Sequence, residues 1–321
     1  MLIRPLDRWS LFAAVGLLSI YVALTVTALD DNSATFDETN HLVRGLYALN
    51  TGDFRLSREH PPLINMLQAL PVHYFYRLAL PIPSAEDYPY FRYSQTVLWK
   101  AAPNGVLMIE MGRLVSIGLT VLLGALVYHW SRLLQGPGGA LVSLAAFVLS
   151  PMMLAHGALV TTDVGLALTM LLYWYSVWRF IRQPAASTAV LTSITLGLSV
   201  ASKHLALLNI PVTFIVLAWT FRANSFGPFD WSSLRRALIS ALLIGTWLLG
   251  AWFIVWASYG FTVGAWSGID WVVPAPDYWR GLLDGWSHLE SGREYFLDDQ
   301  RSPSGWFRYF PLALFYKTPW P

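Results

Sequence analysis

The residues in this chain that could do chemistry stand in short polar islands between apolar runs. Asp37 and Glu38 are adjacent, and His41 follows them. Arg58, Glu59 and His60 run directly into a stiff Pro61-Pro62. Asp163 heads an apolar stretch, with His156 shortly before it. Lys203 and His204 interrupt another apolar stretch, and Arg113 and Arg308 are cations within or beside apolar segments. Adjacent side chains on a helix diverge by about 100°, so Asp37 and Glu38 cannot flank one bond as a glycosidase pair does. One would face a site and the other a second partner. A single carboxylate suffices for general-base work, and cations such as Lys203 and Arg113 suit a phosphate.

Each island also has a plainer reading. Carboxylates favour helix N-termini, so Asp37 and Glu38 can be a helix start capped by Thr35 or Asp37. Pro61 or Pro62 can open a helix. Asp163 can be a first-turn acid behind Thr161 or Thr162. Arg113 has Glu110 three residues before it, which fits a helical ion pair. Lys203 has no carboxylate within four residues in sequence. It can snorkel to headgroups, or pair with a carboxylate from another helix such as Asp163. Glu59 and His60 with His41 could hold a divalent metal, although no HExxH spacing, P-loop or GxSxG elbow is present. No other cofactor is implied.

The elements that must position these groups are membrane helices. The chain is 55% hydrophobic and 12% charged, with 16 tryptophans and a mean hydropathy of +0.47. Soluble domains carry about 25% charged residues. Spans near 20 apolar residues are expected at 10–29, 106–130, 140–155, 164–180 and 237–258. The run from Ala185 to Phe221 is too long for one crossing at about 1.5 Å per residue and divides at Ser202–His204. A last apolar segment from Trp306 to Trp320 is short, a helix caught partway, which leads to the expectation of a fragment or a naturally short version of a longer protein. The expectation is one all-α membrane domain over 1–321 with about 8 crossings. A first outer loop, 30–105, would hold amphipathic helices near Glu38–Leu49 and Pro62–Leu78, lying along the membrane. A second outer loop, 259–304, is rich in Trp and Tyr, which suit sugar faces and interfaces alike.

Charge sets the orientation. Arg4, Arg8, Arg132, Arg179, Arg182, Arg222, Arg235 and Arg236 fall on one side with only Asp7 and Asp230, which makes that side cytoplasmic. The other side collects Asp37, Glu38, Asp53, Glu59, Asp163, Lys203 and the histidines 41, 60, 156 and 204. No basic face suits nucleic acid. The absence of cysteine excludes disulfides and thiol catalysis.

Several segments together, "FDETNH", "EHPPL", "GRLVS", "SPMMLAHGALVTTD", "ASKH" and "SPSGWFRYFPLALFYKTPWP", resemble bacterial members of the protein O-mannosyltransferase family. Its superfamily includes the aminoarabinose transferases that modify lipid A. The resemblance runs in order from Asp37 to Lys317. It implies a GT-C fold in the bacterial inner membrane, with the site facing the periplasm or outside. It implies a sugar donor on a polyprenyl phosphate, and Asp37-Glu38 as the acidic pair of the first outer loop. The acceptor would be a protein, a glycolipid or a polymer.

A phosphate ester leaves as a stable anion, so the chemistry needs a base and cations rather than a strong acid. Asp37 is the expected base of a single, inverting displacement. Lys203, Arg113 and Arg308 would hold the donor phosphate. Asp163, His60, His41, His156 and His204 would shape the pocket or orient the acceptor. A second version gives Glu38 or a histidine a metal-holding role. Two competing classes are a polyprenyl-lipid transporter and a non-catalytic scaffold of the same family.

Overall fold

The computed structural model describes residues 8–56, 58–81, 83, 91–223, 233–266, 269–290, 295–297, 299–302 and 304–317. Arg4, Asp7 and Asp230, and the side chains of Arg222, Arg235, Arg236 and Lys317, lie outside what is described.

Helix α1, Arg8–Thr27, is a 20-residue apolar helix. Helix α5 spans Gly105–Val148. Its 44 residues would reach about 66 Å if straight, twice a bilayer core. It folds back instead at Gly136, where φ is 82° and Pro137 follows. Only a residue without Cβ takes that conformation freely. The two arms then face each other, Ile117 and Tyr128 packing with Ala140 and Leu144. The separate expected spans at 106–130 and 140–155 are therefore the two arms of one hairpin. The second arm stops at Val148, and Pro151 opens a short helix α6, Pro151–His156.

Helix α7, Asp163–Arg182, is followed by α8, Ala186–Ser202. The long apolar run breaks where expected: Lys203 is extended, a 3-10 turn covers His204–Leu208, and α9 begins at Asn209, running to Ala223. Helix α10, Ser233–Ser258, packs along α8. Among the described helices, four are long and apolar enough to cross a membrane: α1, α5, α7 and 241–258 of α10. Helix α8 and the stretch 204–220 are shorter apolar helices. Apolar side chains such as Phe12, Val142 and Leu249 face outward, as expected where lipid is the solvent. The protein is an integral membrane protein. Inside the bundle, α7 meets α8 and α9 through hydroxyls and amides. Ser176 bonds Thr195 at 2.8 Å, Tyr173 bonds Thr213 at 2.6 Å, and Trp174 donates to Asn209 at 3.1 Å. Such pairs hold helices together where apolar burial supplies no driving force.

The segment between α1 and α5, expected as the first outer loop, holds α2, Phe36–Thr51, α3, Leu63–Tyr76, and α4, Phe91–Thr96, which continues as a π-turn, Val97–Ala101. Helix α2 departs from the expected interfacial helix. Every residue from Glu38 to Ala48 is buried, because α3, α4 and α5 cover it. At Gly45 an added Cβ would lie 1.9 Å from the Asn65 carbonyl oxygen, so α2 and α3 touch backbone to backbone. Helix α3 keeps an exposed aromatic end at Tyr74 and Phe75.

The segment after α10, expected as the second outer loop, is not wholly irregular. Strands β1, Val263–Trp266, and β2, Ile269–Pro274, pair antiparallel. Helix α11, Pro276–Glu290, follows, then a small hairpin of β3, Tyr295–Leu297, and β4, Gln300–Ser302. Helix α12, Tyr309–Lys317, ends the described chain. These two ribbons are the only strands among the described residues, and the architecture is otherwise helical.

Candidate active site

Thr35, Phe36, Asp37 and Glu38 form the S/T-x-x-E signature of a helix start. The Thr35 N–H donates to Glu38 Oε2 at 2.8 Å, so Thr35 is the N-cap. This turn fixes where the two carboxylates point. Glu38 turns inward and is fully buried, while Asp37 is exposed.

Inside, Glu38 meets Arg113 of α5. Arg113 donates from Nε to Oε1 and from Nη2 to Oε2, both at 2.8 Å. It also donates from Nη1 to the Asn32 carbonyl at 2.8 Å and from Nη2 to the Ser33 carbonyl at 2.9 Å. Glu38 Oε1 accepts a further bond from the Val160 N–H at 3.1 Å. The pair thus ties α2, the end of α1, α5 and the turn before α7. Burial works against the Glu38 charge, but the bonds from Arg113, Thr35 and Val160 outweigh it and hold the carboxyl below its usual range. Saturated and enclosed, Glu38 has no geometry for a base. Arg113 uses each of its nitrogens on protein acceptors, which removes the expected reason to give it a phosphate. Glu110, its expected helical partner, is not what it pairs with.

Asp37 stands at the other side of the same turn, with no hydrogen-bond or ion-pair partner among the described residues. Helical spacing puts His41 and Arg44 on its face, four and seven residues on. His41 Nδ1 bonds Asn65 Oδ1 at 3.1 Å, and its ring stacks on His60, centroids 5.8 Å apart and planes within 3°. Burial, then the positive charge of Arg44, pushes His41 down to about 3. Burial, then the charges of Lys203 and Arg44, pushes His60 down to about 4. Both rings are neutral at neutral pH, and each can donate one hydrogen bond and accept another.

Lys203 and Asp163 meet across 40 residues of sequence, Nζ to Oδ1 at 2.8 Å. The Lys203 side chain is 23% exposed and that of Asp163 66%, so the pair opens outward. Lys203 reaches it because its extended backbone ends α8 there. The charges of Asp163 and Lys203 act on His41 and His60. The structure therefore brings Asp163, Lys203, His41 and His60 into one cluster.

The flank of this cluster is held by ion pairs and hydrogen bonds between segments. Arg44 donates to Glu59 Oε2 at 3.3 Å. Arg58 pairs with Asp277 of α11 at 3.2 Å, and Arg280 pairs with the same oxygen at 3.3 Å. His204 lies between the Glu59 and Tyr278 carbonyl oxygens, 3.3 and 3.2 Å from its two ring nitrogens. It links the two outer loops rather than facing the opening. An apolar cleft of about 470 Å³ lies beside the start of α2, lined by Leu24, Ala28, Leu29, Leu154 and Leu159 with Thr35 among its polar members.

Two expected site residues stand apart. His156 is exposed at the end of α6, and Arg308 is exposed ahead of α12. Neither side chain has a hydrogen bond, ion pair or ring contact among the described residues, and for both the expected pocket or phosphate role has no geometric support there. No three His, Asp or Glu side chains converge as metal ligands among the described residues, so the His41–Glu59–His60 metal alternative also lacks support. Arg44 and Asn65 were not expected. Arg44 was legible as the next member of the Asp37–His41 helix face. Asn65 was not, because only the contact at Gly45 brings α3 to His41.

The sequence profile described as dolichyl-phosphate-mannose-protein mannosyltransferase matches residues 13–259. The solved structure of the S. cerevisiae protein O-mannosyltransferase Pmt1-Pmt2 complex bound to the sugar donor is similar, with a TM-score of 0.57 and 16% identity. The match covers 81% of this chain and 34% of that chain, so this chain spans about a third of its length. At that identity the likeness shows the fold, which is the GT-C membrane architecture. No curated protein matches the chain. Because the profile covers well over half of its residues, the chain belongs to the dolichyl-phosphate-mannose-protein mannosyltransferase family.

Proposed function

We propose that the chain transfers a mannosyl group from a polyprenyl-phosphate donor to a hydroxyl of a protein acceptor, on the outer side of the membrane. The family supports the donor and acceptor classes. The observation that carries the mechanism is the split of the acidic pair, which leaves Asp37 as its only exposed carboxylate. Asp37 takes the proton of the acceptor hydroxyl as that oxygen forms its bond to C1 of the sugar. The C1–O bond to phosphate breaks on the opposite face, which inverts the anomeric centre. The leaving polyprenyl phosphate is neutralised by Lys203, which Asp163 holds in place. Neutral His41 and His60 line the approach as hydrogen-bonding groups. The apolar cleft beside Thr35 offers a bed for a lipid chain near the start of α2.

The outward-facing assignment rests on the clustering of arginines at the opposite ends of the helices. The test is Asp37→Asn in membranes with labelled polyprenyl-phosphate mannose and an acceptor peptide. Transfer falls by about 10²- to 10⁴-fold if Asp37 is the base. Full transfer by the variant would sink the assignment.

A further inference from the structure

The opposite, inner ends of α5 and α7 carry a cluster that the transfer chemistry does not use. Tyr175, Trp178, Arg179 and Arg182 occupy one face of the last two turns of α7. His129 and Trp130 come to meet them from the first arm of α5. His129 Nε2 and the Tyr175 hydroxyl are 2.9 Å apart. Trp130 packs against Tyr175 at 5.7 Å and against Trp178 at 6.0 Å. Tyr175 stacks on Trp178 at 5.9 Å. These four rings make a continuous shelf.

Two guanidiniums rest on the shelf. The Arg179 Cζ lies 6.0 Å from the Tyr175 ring centre, with Nη1 3.4 Å from its hydroxyl. The Arg182 Cζ lies 5.7 Å from the Trp178 ring centre. Arg132 follows His129 on α5, and its charge and that of Arg179 both act on that ring. Neither Arg179 nor Arg182 has a carboxylate partner among the described residues. No Asp or Glu occurs in residues 118–162 or 164–202. Asp163 is at the far end of α7, about 28 Å away at about 1.5 Å per residue. Aromatic rings thus hold Arg179 and Arg182, and no acid of these helices answers the charge of these two. Arginine offers a fork of donors that matches phosphate oxygens.

We propose that this shelf binds the phosphate of an anionic glycerophospholipid in the inner leaflet, with the diester held by Arg179 and Arg182. Arg182 is exposed, and Leu122, on the same face of α5 as His129 and about 10 Å nearer the bilayer centre, is exposed where an acyl chain would lie. A lipid headgroup with its own cation would bring a positive charge against the arginines. The preferred headgroup is therefore one such as phosphatidylglycerol, which has none.

The experiment is native mass spectrometry of the purified chain in neutral detergent. It is titrated with phosphatidylglycerol or phosphatidylcholine of the same acyl chains. We expect phosphatidylglycerol to be retained roughly 10-fold more, since each basic residue near an anionic headgroup contributes several-fold. Arg179→Gln with Arg182→Gln should bring the two lipids close to parity, and Arg182→Gln alone, at an exposed position, should remove part of the preference. Arg8→Gln, an exposed arginine outside the shelf, should leave it unchanged. Equal retention of the two lipids by the unaltered chain overturns the proposal. So does a preference that survives the double change, or one that Arg8→Gln lowers as much. Millimolar glycerol 3-phosphate should fail to displace the lipid; displacement would assign the shelf to soluble phosphates instead.

Discussion

Arg113 and Glu38, 75 residues apart in sequence, face each other through two parallel hydrogen bonds of 2.8 Å with both side chains buried. The pair takes one half of the Asp37-Glu38 motif out of solvent and leaves the other half in it. A buried charge that loses its partner costs about 3–5 kcal/mol. Glu38→Gln and Arg113→Met should therefore each lower the thermal unfolding temperature in detergent markedly. The double change should cost less than the sum of the two. Additive losses in that cycle would show that the two side chains are not coupled. Asp37→Asn, at an exposed position, should leave the unfolding temperature unchanged while transfer is lost.

Lys203 and Asp163 are the second pair, and their roles differ. Lys203→Gln should raise the donor KM and lower kcat, because the cation meets the phosphate in both ground and transition states. Asp163→Asn should do so more mildly, since the lysine stays but is less well held. Steady-state kinetics over donor concentration checks this. A Lys203→Gln enzyme with unaltered kinetics would remove Lys203 from the phosphate.

His41 and His60 predict an acid limit to stability. In the folded chain their pKa values are lowered from 6.5 to about 3 and about 4, burial being the main cause. The unfolded chain therefore takes up protons on them below pH 6.5, while the folded chain does not. The stability that their neutrality contributes is complete above pH 6.5 and is lost as pH falls towards 4 and then 3. Unfolding temperatures measured from pH 7.5 to pH 4 should fall less steeply in a His41→Gln, His60→Gln variant. An identical slope would place the pH sensitivity elsewhere.

Gly45 is the contact that sets α3 against α2. An alanine there would place its Cβ 1.9 Å from the Asn65 carbonyl oxygen, which is backbone and cannot swing away. Gly45→Ala should therefore destabilise by about 3 kcal/mol, the upper end of what overpacking typically costs. It should also weaken the His41–Asn65 bond. Unfolding temperature and transfer should drop together, unlike the Asp37 variant, where transfer alone drops. Native-like stability in Gly45→Ala would show that the helices separate at little cost.

Much of this molecule is written locally in its sequence. Helix spans follow from apolar length, because a chain in lipid must satisfy its backbone internally over about 30 Å. The break at Lys203 was legible because about 37 apolar residues cannot make one crossing. The turn in α5 was legible as a gap between two spans, though Gly136 was not singled out. The start of α2 was legible from its acidic pair, but only the Thr35–Glu38 bond decides between Thr35 and Asp37 as the cap. The second outer loop was less so: its ribbons and α11 depend on contacts with the first loop, such as Arg58 with Asp277.

What the sequence by itself determined is where the polar islands fall between the apolar spans and that adjacent carboxylates must part. Which of them turns inward was decided only in three dimensions. Glu38 goes inward because a buried carboxylate needs donors for both oxygens, and Arg113 and Val160 supply them from two distant segments while Thr35 adds one from the same turn. The burial of α2 was hidden for a similar reason. Its mixed polar face reads as interfacial until Asn65, Glu59 and Arg113 arrive to satisfy it from other elements.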